Sequence, residues 1–397
     1  MAMDGLDEAL ARLRRGCVDL VSEEELRAKL SAAKPLRIKL GVDPTSPDLH
    51  LGHTVVLNKL RLFQDLGHTA VLIIGDFTAA VGDPSGRDST RPTLTQTEIR
   101  VNAKTYQEQA FKVLDPARVE LRFNSEWLDP YVRQGRLLEG LKSCTVGQLL
   151  AREDFQTRMK AQGPITMLEL LYPVFQGYDS VAVRADVELG GNDQLFNLLF
   201  GRQMQKNSGQ PPQCILTLPL LVGSDGRRKM SKSYGNHIAL NDPARDMFGK
   251  VMRLSDELMT GYYELLTDED LGAVRGMHPM EAKKRLAGLL TARYHGPEAA
   301  AAEREFFDKT FSQHKAPEEA PEFRVGPEEL GLAWSVLLVK MGAAPSRKQA
   351  QRLIAQGAVR LSGEALKEDS AVSASLAPLD SATLKVGKHG FYRLTKA

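Results

Sequence analysis

The chain has 397 residues, of which 42% are hydrophobic and 26% are charged, a composition typical of a globular protein. Its length predicts roughly two to four domains. No apolar run approaches the ~18–20 residues that a membrane helix requires, and the charged N-terminal segment differs from a signal peptide. The wide spacing of the cysteines argues against a zinc site or a disulfide framework and favours a cytoplasmic protein: Cys17, Cys144 and Cys214.

The formal net charge is only +2, but basic residues are concentrated near the C-terminus. Residues 331–397 hold 10 Lys and Arg residues against 4 Asp and Glu residues. A basic segment on a slightly acidic body indicates a polyanion partner at that end, and a solvated basic surface is the alternative.

The first part of the chain predicts helix over residues 1–35, where leucines recur at helical spacing. Residues 36–59 then predict a strand, a loop rich in glycine and proline, and a helix that Asp48 can cap. Because a helix N-terminus is electropositive and has free N–H groups, it suits a phosphate, and a glycine there lets a nucleotide approach closely. Three residues lie where this helix starts: His50, Gly52 and His53.

A continuous apolar run at residues 70–74 predicts a buried strand, so that strand, helix and strand form a βαβ unit of a parallel sheet. Ligands of such sheets bind at the carboxyl ends of the strands, where the histidines and the next loop lie. In that loop Asp83 could hold an ammonium group and Arg87 a carboxylate or phosphate. A plain turn with a surface arginine fits the pattern equally well.

Residues 95–165 have mainly helical, amphipathic patterns around a short strand at 119–123. The segment 126–163 interrupts the nucleotide-binding pattern. Its apolar residues fit either a local core or a dimer face.

The helix predicted at residues 167–180 carries Tyr172, Gln176 and Asp179 on one face. This face is either the wall of a pocket for a small polar molecule or an ordinary helix surface. A Gly-Gly turn follows a further strand, with Asp193 and Gln194 beyond it.

A strand predicted at residues 217–222 leads into a loop with four cations in six residues: Arg227, Arg228, Lys229 and Lys232. Lysines among serines and glycines make a mobile loop that can close on phosphates, and a cationic surface loop is the alternative.

The rest of the chain predicts helices over residues 242–295 and then an Ala-, Glu- and Pro-rich linker at 296–330. From residue 332 the chain is compact again, with two helices followed by strands at 359–361 and 391–394.

Two of these stretches carry a resemblance. His50-Leu51-Gly52-His53 is similar to the HIGH signature of class I aminoacyl-tRNA synthetases, and Lys229-Met230-Ser231-Lys232-Ser233 is identical to their KMSKS signature. The motifs GVDPTSPDLHLGH, GDPSGR, YPVFQGYDS and ELGGNDQ resemble the bacterial tyrosyl-tRNA synthetase family in order and spacing. The segment SRKQAQRLIAQGAVRLSG resembles an S4 RNA-binding domain, which that family carries at its C-terminus.

The resemblance implies an α/β architecture in three parts. A Rossmann-like parallel-sheet catalytic domain would span residues 1–240, with an inserted helical dimerisation segment at about 126–163. An α-helical anticodon-binding domain and linker would span 241–325, and a small α+β S4-like domain 331–397. The family functions as a homodimer.

The implied activity is that of a tyrosine–tRNA ligase, which first activates tyrosine with ATP, as its Mg²⁺ complex, to tyrosyl-adenylate and pyrophosphate. It then transfers the tyrosyl group to the 3′ end of tRNA(Tyr). Neither a membrane partner nor a protein-bound structural metal is expected. The alternatives are a tryptophanyl-tRNA synthetase, a non-catalytic synthetase-like RNA-binding protein and a small-molecule nucleotidylyltransferase with the same histidine loop.

The resemblance also implies site residues. Those for catalysis are His50, His53, Arg87, Arg91, Lys229 and Lys232. Those for ATP are Thr45, Gly52, Asp193, Lys229, Met230, Ser231, Lys232 and Ser233. Those for tyrosine are Asp83, Tyr172, Gln176, Asp179 and Gln194, with Asp179 on the phenol. Those for RNA are Arg347, Lys348 and Arg352.

The sequence departs from the family pattern at three positions. Lys39 stands where many members carry a tyrosine that also touches the substrate hydroxyl, which leaves open whether the lysine takes over this contact. Arg87 replaces the more usual lysine and keeps the charge. Glu188 stands where a glutamine is often found.

Overall fold

The computed structural model describes residues 3–32, 34–85, 95–142, 144–312, 320–376, 381–387 and 390–396. The chain forms two compact units, residues 1–296 and 297–397. None of the described helices is both long and apolar enough to cross a membrane.

The first unit is built on a six-stranded sheet with the order β1-β6-β5-β2-β3-β4. All neighbouring strands are parallel except β1 and β6, which are antiparallel. The central strands are almost wholly apolar because helices cover both faces of a parallel sheet. The strands are β1 (Asp19–Val21), β2 (Arg37–Val42), β3 (Thr69–Ile74), β4 (Val119–Phe123), β5 (Val187–Gly191) and β6 (Cys214–Leu218).

Fifteen α-helices belong to the described part of the first unit: α1 (Met3–Arg14), α2 (Glu23–Ser31), α3 (Leu51–Asp65), α4 (Thr78–Val81), α5 (Gln96–Ala110), α6 (Ser125–Arg133), α7 (Leu137–Leu141), α8 (Val146–Leu150), α9 (Glu153–Lys160), α10 (Met167–Val183), α11 (Leu195–Asn207), α12 (Ala244–Met252), α13 (Asp256–Leu266), α14 (Leu271–Arg275) and α15 (Pro279–His295). Short 3₁₀ turns lie at Pro116–Arg118, Asn192–Gln194 and Lys232–Tyr234. The core joins α1, α2 and α3 to the sheet through fully buried side chains such as Leu13, Leu26, Ile38 and Phe63.

The second unit contains a five-stranded sheet with the order β7-β11-β10-β8-β9, in which only β7 and β11 pair in parallel. Its core surrounds Trp334, which is fully buried. Its elements are α16 (Pro297–Phe307), a π-helical turn (Asp308–Ser312), β7 (Glu322–Val325), α17 (Pro327–Leu330), α18 (Trp334–Lys340), α19 (Arg347–Ala355), β8 (Val359–Leu361), β9 (Glu364–Ala365), α20 (Val372–Leu376), β10 (Ser381–Val386) and β11 (Gly390–Lys396).

Most predicted elements are present, including the buried strand at 70–74 and the helix from residue 167, and four expectations need correction. Residues 1–35 contain the short strand β1 between two helices. His50, and not Asp48, is the N-cap of α3, because its ring accepts the hydrogen bond from the first turn. The strand expected at 217–222 is β6, which ends at Leu218. The expected linker at 296–330 holds α16 and also β7, which pairs with β11.

Candidate active site

A cavity of about 300 Å³ lies at the carboxyl ends of β2 and β5. These strands are neighbours, but the chain adds β3 and β4 on one side of β2 before it adds β5 on the other. Such a reversal of strand order leaves a crevice in which doubly wound sheets bind ligands. The structure places all five residues predicted for tyrosine around this cavity: Asp83, Tyr172, Gln176, Asp179 and Gln194.

A second cavity, of about 440 Å³, adjoins the first. Thr45, Gly52, His53 and Asp193 line both cavities. The second is lined in addition by residues of the two signature motifs: His50, Lys229, Met230, Ser231, Lys232 and Ser233. The structure therefore brings together every residue predicted to contact ATP, beside the cavity lined by the residues predicted for tyrosine.

The two histidines form the N-terminal cap of α3. The Nδ1 atom of His50 accepts a hydrogen bond from the backbone N–H of Gly52 at 3.2 Å, and Nδ1 of His53 accepts one from the backbone N–H of His50 at 3.1 Å. The ring centroids are 3.9 Å apart. Because each Nδ1 is an acceptor, a neutral ring must carry its proton on Nε2. Both side chains are thus set as Nε2–H donors at an electropositive helix end.

Burial keeps both rings neutral at physiological pH. It lowers the pKa of His50 to about 2, with smaller contributions from His53 and His237, and it lowers the pKa of His53 to about 4. Neutral imidazoles can donate hydrogen bonds to phosphate oxygens without a change in protonation state.

The His50 ring leaves no room for a side chain at Gly52. A Cβ atom at this position would lie 2.9 Å from two ring atoms of His50. Any side chain would therefore displace the ring that caps the helix, in addition to filling the space that the two cavities share.

The KMSKS segment is tied to the site by its two lysines. The Nζ atom of Lys232 lies 2.7 Å from Oδ2 of Asp48, and Nζ of Lys229 lies 3.9 Å from Oδ2 of Asp193. Met230 anchors the segment, because it is buried and its backbone N–H donates to the carbonyl of Leu221. Both lysines are half-exposed and pair with carboxylates. A phosphate can replace these carboxylates as the partner of each ammonium group.

Asp179 is a carboxylate buried in the wall of the smaller cavity. Only 3% of the residue is exposed. Its Oδ1 accepts from Nε1 of Trp127 at 2.7 Å, and its Oδ2 accepts from Nδ2 of Asn124 at 3.3 Å. Burial raises its pKa to about 7, against the lowering effects of Lys39 and these two donors. A ligand hydroxyl that donates to this carboxylate would stabilise its ionised form.

Three of the other predicted tyrosine contacts form one network around Asn197. Its Nδ2 donates to Oε1 of Gln176 at 2.9 Å and to Oε1 of Gln194 at 3.1 Å. Nε2 of Gln194 in turn donates to Oδ2 of Asp83 at 2.9 Å. The Tyr172 hydroxyl donates to Asp43 at 2.8 Å. These oxygens and carboxylates suit an ammonium group.

Comparison with known proteins shows which families this chain resembles. A family described as tRNA synthetases class I (W and Y) matches residues 31–312, and the S4 domain matches residues 335–375. The chain is 49% identical to a tyrosine–tRNA ligase of Thermotoga maritima, with 98% of each chain covered. It is 47% identical to one of Oleidesulfovibrio alaskensis, with 98% of this chain and 99% of the relative covered.

The chain belongs to the class I tRNA synthetases of the W and Y group. Among solved structures, tyrosyl-tRNA synthetase from Archaeoglobus fulgidus, complexed with L-tyrosine, has the same class I synthetase fold. Its TM-score is 0.62 at 23% identity, with 75% of this chain and 99% of that chain covered.

Within this synthetase, Lys39 is a buried structural group. It is fully buried, and its Nζ donates to Glu188, Ser180 and the carbonyl of Gln176. These contacts occupy all three N–H bonds of the ammonium. The Lys39 side chain thus lies beneath α10 and is not a donor to the cavity.

Two further sets of residues were predicted, one for catalysis and one for RNA. Arg87 and Arg91 fall outside the described residues. The residues predicted for RNA are all exposed on α19 of the second unit: Arg347, Lys348 and Arg352.

Four polar residues of the site were not predicted: Asp43, Asn124, Trp127 and Asn197. Asp43 follows β2 and Asn124 follows β4, so the rule that ligands bind at carboxyl ends of strands could have identified both. The roles of Trp127 and Asn197 depend on where α6 and α11 pack, which no local pattern reveals. Among the described residues, no group of three or more His, Cys, Asp or Glu could hold a metal ion.

Proposed function

We propose that this synthetase is a tyrosine–tRNA ligase. The observation that carries the proposal is the buried carboxylate of Asp179, which lies in a cavity adjoining that of the HLGH and KMSKS motifs. The names of the full-length relatives support tyrosine over tryptophan as the amino acid.

In the first step an oxygen of the tyrosine carboxylate attacks the α-phosphorus of ATP, supplied as its Mg²⁺ complex. The bond to the β-phosphate oxygen breaks and pyrophosphate leaves. The Nε2–H groups of His50 and His53 donate to the phosphates, and the cations of Lys229 and Lys232 exchange their carboxylate partners for the departing charge. Arg87 and Arg91 are proposed to add charge over the pyrophosphate.

The amino acid is held at both ends. Asp83, Gln176 and Tyr172 surround the α-ammonium, and the phenol O–H donates to Asp179. A ligand without the hydroxyl would leave this buried carboxylate without its donor, and that is costly.

In the second step a hydroxyl of the terminal ribose of tRNA(Tyr) attacks the adenylate carbonyl carbon, and AMP leaves. The exposed cations of α19 are proposed to contact tRNA phosphates, and the helices after residue 240 to form the anticodon-binding domain. We propose the cytoplasm as the location of the reaction.

We further propose that a second copy of the chain covers the apolar face formed by segment 126–163 and the start of α10. Large apolar side chains are exposed there, with Leu138 at 65% and Met167 at 72%. Sedimentation should show a dimer for the wild type and a monomer for Met167→Glu. Met280→Glu, at an exposed methionine on α15, is the matched control and should remain dimeric. A monomeric wild type would refute the dimer.

ATP–pyrophosphate exchange, measured in parallel with tyrosine, tryptophan and phenylalanine, tests the activity. We expect exchange with tyrosine alone, its loss in Asp179→Asn, and its retention in Asp7→Asn, the same change at an exposed carboxylate. Exchange with tryptophan alone would refute the specificity. No exchange in a folded sample that binds tRNA would favour a non-catalytic RNA-binding protein.

A further inference from the structure

Lys39 and Glu188 form an ion pair inside the sheet. The pair lies beneath the cavity lined by the residues predicted for tyrosine, here called the amino-acid cavity. They are direct partners on the neighbouring strands β2 and β5. The Nζ atom of Lys39 lies 2.7 Å from Oε1 of Glu188, and the two side chains are 0% and 1% exposed.

Stability alone does not account for this pair. Removing two charges from water costs several kcal/mol per ion, and apolar residues of similar volume often serve a fold equally well. Here every polar atom of the pair has a partner, because the second carboxylate oxygen of Glu188 accepts from Ser180 and Gln213. A fully satisfied buried network of this kind fixes the groups around it.

The groups that it fixes belong to one turn of α10. Lys39 donates to the carbonyl of Gln176 at 3.0 Å and to the hydroxyl of Ser180 at 2.7 Å. Asp179 lies between these two anchor points. The ion pair therefore holds the turn that carries two side chains of the amino-acid cavity, Gln176 and Asp179.

The same pair places opposite charges near Asp179. Lys39 on β2 and Glu188 on β5 act on Asp179 through their charges, while Asn124, the N-cap of α6, and Trp127 in its first turn are neutral donors to it. Lys39 lowers the pKa of Asp179, and Glu188 raises it by less.

We propose that Lys39 and Glu188 are positioning residues for recognition of the phenol: the buried pair anchors the α10 turn that carries Asp179, the carboxylate that accepts the hydroxyl, and sets two opposite charges beneath it. This proposal rests on the proposed function, since it concerns the same site. In this chain a buried cation beneath the site takes the place of a direct contact from position 39.

The test is the pH dependence of tyrosine binding, measured by equilibrium dialysis with labelled tyrosine. We expect the wild type to bind more tightly as the pH rises through the pKa of Asp179. Lys39→Met should move this midpoint to higher pH and Glu188→Gln should move it to lower pH, each by on the order of one pH unit. The KM for ATP should remain within about twofold in both variants, because the pair lies beneath the amino-acid end only.

Opposite shifts separate this role from a merely structural one, which moves neither midpoint or both in the same direction. Arg158→Met and Glu169→Gln are matched controls at another buried ion pair, with side chains 2% and 4% exposed. They should lower stability and leave the midpoint in place.

Glu188→Gln decides the matter if Lys39→Met does not fold, because glutamine keeps the shape of glutamate and removes its charge, with one acceptor oxygen becoming an N–H₂ donor. An unchanged midpoint in Glu188→Gln would overturn the proposal. Tyrosine-dependent exchange by the wild type is measured separately, so that failure of the proposed function is distinguished from failure of the positioning role.

Discussion

Replacing Asp179 with asparagine should change the stability of the protein more favourably at high pH than at low pH, while it abolishes tyrosine binding. The native state retains the proton of Asp179 up to its pKa of about 7, whereas the unfolded chain releases it near 3.8. Between these values the native state binds more protons than the unfolded state. Stability therefore falls as the pH rises through this window, and the loss is complete above about pH 7.

The magnitude follows from the difference between the two pKa values. At 1.36 kcal/mol for each pKa unit, the raised pKa of Asp179 lowers the free energy of unfolding by about 4 kcal/mol above pH 7. At about pH 5.5 it lowers it by about 2 kcal/mol. Asparagine does not ionise, so the cost of placing its amide N–H₂ beside the donors Trp127 and Asn124 is the same at both pH values. The stability gained by Asp179→Asn should therefore be larger by about 2 kcal/mol at about pH 8.5 than at about pH 5.5.

Urea unfolding at the two pH values measures this difference, with fluorescence as the signal. The chain has two tryptophans, so a common Trp334→Phe background leaves Trp127 as the reporter beside Asp179. Asp7→Asn is the control and should show no pH-dependent gain. If the gain from Asp179→Asn does not change with pH, Asp179 has the same ionisation state in both states of the protein and the reasoning is wrong.

Three further predictions concern the nucleotide end. Lys232→Ala should slow adenylate formation by roughly 10²–10³-fold in pre-steady-state assays, whereas the exposed neighbour Arg227→Ala should change it by no more than about twofold. Gly52→Ala should slow the same step by about 10²-fold, because the new Cβ displaces the His50 ring and fills space that the two cavities share. The wild type should lose up to about 3 kcal/mol of stability through His53 as the pH falls from 6.5 towards 4. In this range the imidazole is protonated in the unfolded chain but stays neutral in the folded protein. His53→Gln should flatten this dependence in urea titrations, and an equal slope in both proteins would contradict it.

The parts of the fold that local pattern determines could be predicted from the sequence. The apolar run of β3 and the helical face of α10 are examples, because burial on both faces or on one face sets the order of side chains directly. Four strands, β1, β7, β9 and β10, were missed. β1 has three residues and pairs with a strand nearly 200 residues later, and β7 lies in a proline-rich stretch and pairs with the last strand. Such pairing is decided by distant partners that no window of sequence contains.

The same division holds for the site. The ligand preferences of helix ends and strand ends predicted the histidines of α3, and the KMSKS match predicted the lysines; both sets line the second cavity. The neutral state of the histidines was not predicted, since it depends on how deeply α3 is buried. Nor did the sequence indicate that Lys39 lies under α10, because a single lysine in a strand does not reveal which face carries it or what meets it there.

The short strand β1 has a consequence for the solubility of the chain. It is the only antiparallel strand in the described first-unit sheet, and it covers the outer edge of β6, all five residues of which are buried. Without residues 19–21, β6 would present a row of free N–H and carbonyl groups on an apolar strand, which is a template for pairing between molecules. Loss of this segment would therefore expose an edge along which the protein can associate with further copies of its own sheet.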